Sequence, residues 1–124
     1  MPKCILIVDD FEPIRKAVRA FFESQSGFDV CGEAVDGNDA IEKAQELKPD
    51  LIILDLSMPR MSGIKAAPIL KKMLPQTPIV LLTSHHHALQ GYDTRAAGID
   101  AVIPKGADLS LLLDSVQGLL QEAD

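Results

Sequence analysis

Five polar residues each sit at or just beyond the end of a short apolar run. Asp9 and Asp10 follow Cys4 to Val8, Asp55 follows Leu51 to Leu54, Thr83 follows Ile79 to Leu82, and Lys105 comes shortly after Ala101 to Ile103. Three carboxylates brought within a few Å cannot all ionise without a cation, so either a pKa rises or a metal binds. Oxygen-only ligands that leave positions for water and substrate suit Mg²⁺ better than Zn²⁺. A Mg²⁺ site that also holds an ammonium and a hydroxyl can neutralise and orient a phosphoryl group. An aspartate acting as nucleophile there would form an acyl phosphate. Taken singly, each residue has a plainer explanation. An Asp after a strand forms turns or caps a helix, an Asp pair suits a helix N-terminus, a Thr can simply end a strand, and a loop Lys is solvated. All five at four strand ends are hard to attribute to turn chemistry.

The elements that must position them are legible as periodicities. The four apolar runs do not alternate and are rich in β-branched residues, which is the pattern of strands buried on both faces of a parallel sheet. Phe28 to Ala34 does alternate and reads as an edge strand. Segments of helical period lie between. The first carries Ile14, Val18, Phe21 and Phe22, with Pro13 in its first turn and Gly27 beyond its end. The second covers Asp39 to Leu47. The third, Ser62 to Leu74, contains Pro68 and is expected to kink or start late. The fourth, Leu89 to Ala97, has few large apolar residues and closes at Gly98. The last places Leu109, Leu112, Leu113, Val116, Leu119 and Leu120 on one face behind an N-cap at Asp108. Five alternations predict an α/β fold, a doubly wound five-stranded parallel sheet of (βα)5 type. In such a sheet the strand C-termini share one edge, where ligands bind. The five polar residues therefore converge there.

Composition narrows the function. The 124 residues make one domain, 1–124, with 47% hydrophobic and 24% charged residues. A formal charge of −6 argues against direct nucleic-acid contact or an anionic membrane surface. No run approaches the length of a membrane span. Cys4 and Cys31 lie in separate apolar runs without a CxxC partner, so they are expected to be buried, reduced thiols of a cytoplasmic protein. His85, His86 and His87 are expected in an exposed loop, since adjacent histidines in an extended chain point in alternate directions.

These residues and their order resemble the response-regulator receiver domain of two-component signalling. Asp9-Asp10, the segment Asp55-Leu56-Ser57-Met58-Pro59 followed by Gly63, Thr83-Ser84 and Lys105 carry the likeness over essentially the whole chain. The resemblance implies a flavodoxin-like sheet of strand order 2-1-3-4-5. It also implies Asp55 as acceptor of a phosphoryl group from a sensor histidine kinase or phosphotransfer protein. Asp10, Asp55 and the backbone carbonyl of Ser57 would ligate Mg²⁺, with Asp9 acting mainly through water. Thr83 would hydrogen-bond a phosphoryl oxygen and Lys105 would pair with its charge. Ser84 is small enough to let a donor approach, and His85 is expected to tune phosphoryl lifetime. Phosphorylation would then repack the face made by the fourth helical segment, the fifth strand and the last helix, which could serve a partner, an output domain or a homodimer.

The sequence departs from the family in two places. Val102 stands where receivers usually carry an aromatic switch residue, the lone tyrosine being Tyr92. Pro104 precedes Lys105 rather than following it, so a cis bond would fall at Ile103-Pro104. Two other readings share parts of the pattern. A flavodoxin-like cofactor binder should have a Ser, Thr and Gly-rich loop where Asp9-Asp10-Phe11-Glu12 stands. A haloacid-dehalogenase-like phosphatase should have Asp-x-Asp after the first strand. Within the receiver reading, a stand-alone protein-binding domain competes with the receiver part of a transcription regulator. The segments Val30 to Ala34 and Asp55 to Gly63 resemble receivers that precede helix-turn-helix domains.

Overall fold

The computed structural model describes residues 2–84, 89, 91 and 93–123. The elements run β1 (Lys3–Val8), α1 (Glu12–Glu23), β2 (Phe28–Ala34), α2 (Gly37–Leu47), β3 (Leu51–Asp55), α3 (Gly63–Met73), β4 (Ile79–Thr83), β5 (Ala101–Pro104) and α4 (Leu109–Ala123). The strands form one parallel sheet in the order β2-β1-β3-β4-β5. The alternating strand β2 lies at an edge, as its half-polar pattern requires.

Both faces of the sheet are buried, which explains why the central strands are apolar without alternation. Leu6, Val8, Ile52, Leu54 and Leu81 pack on one side with Ala40 and Ala44 of α2 and Ala66, Ala67 and Leu70 of α3. Ile5, Ile7, Ile53, Val80 and Leu82 face the other side, against Val18 and Phe22 of α1 and Leu112, Val116 and Leu120 of α4. Phe22 is fully buried, worth about 2–3 kcal/mol of transfer free energy, and meets Phe21 and Phe28 edge-on at 5.3 Å.

Three local expectations are corrected. Helix α3 does not start late: Ser62 caps it through the Lys65 amide, and the helix runs from Gly63 through the exposed Pro68 to Met73. The bond preceding Pro104 is not cis, and the described residues contain no cis peptide. Cys4 and Cys31 are not free thiols but form a disulfide between β1 and β2, with their Cα atoms 5.4 Å apart. The pairing passes from Ile5 opposite Val30 to Leu6 opposite Gly32, so Cys31 is the extra residue of a β-bulge. Reading each strand separately gives no sign of that register shift.

Between β4 and β5 the expected helix over Leu89 to Ala97 lies partly outside the described residues. Those described from 94 to 98 form turns, with the Gly98 and Ile99 amides donating to the Arg95 and Thr94 carbonyls. The short run of small residues there offers no apolar stripe to hold a longer helix. His85, His86, His87 and Tyr92 also lie outside the described residues.

Candidate functional site

The carboxyl ends of β1, β3, β4 and β5 bring the predicted residues to one edge. Asp9 leaves β1, its amide bonded to the Ala34 carbonyl and its Oδ1 accepting from the Phe11 amide at 2.9 Å. Asp55 is the last residue of β3 and Thr83 the last of β4, and all three are buried. Carboxylate oxygens of Asp9, Asp10 and Asp55 lie within 4.8 Å of one another, Asp10 being the exposed member. The Lys105 amide donates to the Thr83 carbonyl at 3.0 Å, which anchors the residue after β5 beside β4. Its ammonium lies 2.9 Å from both Asp9 Oδ2 and Asp55 Oδ1.

The electrostatics follow from that packing. Burial pushes the Asp55 carboxyl up to about 6, and the charges of Asp9 and Asp10 add to the shift against the opposing hydrogen bond from Lys105. Burial works against the Lys105 charge, but its bonds to Asp55 and Asp9 outweigh this and hold its pKa above the ordinary lysine value. Asp9 Oδ2 is buried and has no well-aligned hydrogen bond, its nearest cation being the Lys105 ammonium. Three clustered carboxylates, two of them buried, fit a hard divalent cation such as Mg²⁺.

Several supporting residues carry no signal in the sequence. Arg15 of α1 donates from Nη1 to the Asp9 carbonyl at 2.9 Å and from Nε to Glu33 at 3.0 Å. Arg19 also bonds Glu33. This chain of contacts fixes the exit from β1 against β2, but it depends on which strand neighbours α1, and that is a tertiary fact. Asp36 and Arg60 pair across the loops that follow β2 and β3. An Asp before a helix is recognisable as a cap, but its distant partner is not.

A family model described as the response regulator receiver domain matches residues 5–117. The chain belongs to the response-regulator receiver family. The receiver domain is 41% identical over 117 residues to the response regulator protein VraR of Staphylococcus saprophyticus, covering 94% of this chain and 56% of that protein. It thus spans about half the length of the curated relatives it matches. Among solved structures it superposes on a LuxR-family two-component response regulator from Aurantimonas with a TM-score of 0.87 and 26% identity, covering 98% of this chain and 87% of the other. It likewise matches a chain of the CheX-CheY-BeF3-Mg²⁺ complex of Borrelia burgdorferi at 0.88 and 26%, covering 96% and 90%. Receiver domains are signalling switches, so the cofactor-binder and phosphatase readings give way to this one. No helix among the described residues is long and apolar enough to cross a membrane.

Proposed function

We propose that this receiver accepts a phosphoryl group on Asp55 from the phosphohistidine of a sensor kinase or phosphotransfer protein. The observation that carries the proposal is the Asp55 carboxylate itself. It is buried at the end of β3, held by Lys105 at 2.9 Å, and raised to about 6 by burial. At pH 7 it is mostly ionised yet more basic than an ordinary aspartate, which suits a nucleophile. An Asp55 oxygen attacks phosphorus, the phosphorus–nitrogen bond to the donor histidine breaks, and the departing imidazole takes up a proton. Lys105 pairs with the added phosphoryl charge, and the Thr83 hydroxyl donates to one of its oxygens.

Asp10, Asp55 and the Ser57 carbonyl would hold Mg²⁺, with Asp9 acting mainly through water. The ion would offset the charge that accumulates on the phosphoryl oxygens. With Lys105 drawn from Asp9 towards the phosphoryl group, the loops after β4 and β5 repack and alter the surface around β5 and α4. The cytoplasm is the proposed location, where thiol pools would open the Cys4–Cys31 bond. The proposed output is transcription control through a further domain, supported by the greater length of the curated relatives and the LuxR-family neighbour.

Acetyl phosphate with Mg²⁺ tests the chemistry. The intact mass should rise by one phosphoryl group in the parent protein and stay unchanged in Asp55→Asn. Labelling that survives the substitution removes Asp55 from the role.

A further inference from the structure

The loop over residues 56–62 joins the acceptor strand β3 to α3 and carries Ser57. Its base is closed by the Gly63 amide, which donates to the Leu56 carbonyl at 2.9 Å. Its crest is held differently. Arg60 sits at φ 65, and among the described residues the only other non-glycine at positive φ is Lys48, at the C-cap of α2. An L-residue takes the left-handed region against a steric cost, and where it persists the surroundings must hold it.

What holds Arg60 is Asp36. The Arg60 Nε lies 2.9 Å from Asp36 Oδ2, and Nη2 bonds the same oxygen. Asp36 is itself tied down: it is buried, it is the N-cap of α2, and its Oδ1 accepts from the Asp39 amide at 2.8 Å. The next residue confirms the close seating, because a Cβ on Gly37 would stand 2.7 Å from the Met61 side chain. The arginine side chain is 63% exposed, and an ion pair so open to water adds little to global stability. Its effect is local.

We propose that the Asp36–Arg60 pair is a positioning device that fastens the crest of the 56–62 loop to the start of α2. It thereby presets the Ser57 carbonyl for the cation before the cation arrives. This rests on the phosphoacceptor reading above. Presetting a ligand lowers the reorganisation that accompanies binding, and outer contacts of this type commonly change metal affinity ten- to a hundredfold.

Arg60→Gly, Asp36→Asn and the double variant separate the pair from the backbone. Glycine accepts the positive φ freely, so it preserves the loop conformation while removing the guanidinium. Asparagine keeps a cap on α2 while removing the charge. Two measurements are made: amide hydrogen exchange of Met61 and Gly63 in metal-free protein, and the Mg²⁺ dissociation constant by calorimetry. Each single variant should exchange these amides about tenfold faster and bind Mg²⁺ about tenfold more weakly. The double variant should be no worse than either single one, because both remove the same contact. Parent-like exchange and affinity in Arg60→Gly, or additive losses in the double variant, overturn the pair's role. The site reading fails separately: parent protein that binds Mg²⁺ no better than Asp55→Asn, or takes up no phosphoryl group, refutes the acceptor site rather than the pair.

Discussion

Asp55 and Lys105 set the pH behaviour of the site. The folded chain holds the Asp55 proton more tightly than the unfolded chain, with a pKa of about 6 against an ordinary 3.8. The stability this proton contributes is fully present below pH 3.8 and is lost as pH rises through 6. Metal-free protein should therefore be more stable at pH 5 than at pH 7, by about 1–2 kcal/mol. Urea unfolding of the parent and of Asp55→Asn checks this, since the substitution should flatten the slope. Glu33 and Asp36, whose pKa values are lowered, act with the opposite sign at more acidic pH. Glu33 is held down by Arg19 and Arg15 against the cost of its burial. Asp36 is held down first by the Asp39 amide and then by Arg60. Lys105→Met removes the ammonium 2.9 Å from Asp55, so the Asp55 titration, followed by carboxyl NMR, should move above 6. The participants of this site were legible as residue types following strands. Their protonation was not, because burial depends on packing that no single segment reveals.

At the scale of elements, the tightest constraint is the start of α3. A Cβ on Gly63 would lie 2.3 Å from the Asp55 carbonyl oxygen and 3.0 Å from Leu81 Cδ1. The first neighbour is backbone and cannot swing away, so Gly63→Ala should displace the end of β3. The expected cost is about 2–3 kcal/mol, read as a lowered urea midpoint together with slowed phosphorylation. The strands themselves were legible because a run such as Leu51 to Leu54 is short, rich in β-branched or apolar residues and without alternation, as a strand covered on both faces is. The helices α1 and α4 were legible from their apolar stripes. The expected helix over Leu89 to Ala97 lies partly outside the described residues, and its described part from 94 to 98 forms turns. Pro68 does not delay the start of α3, which Ser62 caps, and its ring lies at an exposed position of the helix.

Over the whole molecule, the unforeseen bond is Cys4–Cys31, which closes a sequence separation of 27 residues. A loop of that length gives about 3.5 kcal/mol of chain-entropy stabilisation. Reduction by dithiothreitol, or Cys31→Ser, should lower the midpoint of thermal unfolding by about 10 °C. The site should survive, because the bond lies on the β1–β2 pair and away from the strand ends that carry Asp55, Thr83 and Lys105. The bond was illegible because it depends on a bulge that places Cys31 out of simple register. The charge of −6 gains a partial explanation, since three of the acidic residues gather where a cation is wanted. Borohydride trapping after treatment with acetyl phosphate and Mg²⁺ locates the phosphoryl group, which is expected on Asp55. Borohydride reduces an acyl phosphate to the alcohol, so peptide mass mapping should find homoserine at position 55. Homoserine at position 9 or 10 instead, or none in protein that has gained a phosphoryl mass, would place the phosphoryl group on another side chain and remove Asp55 from the role.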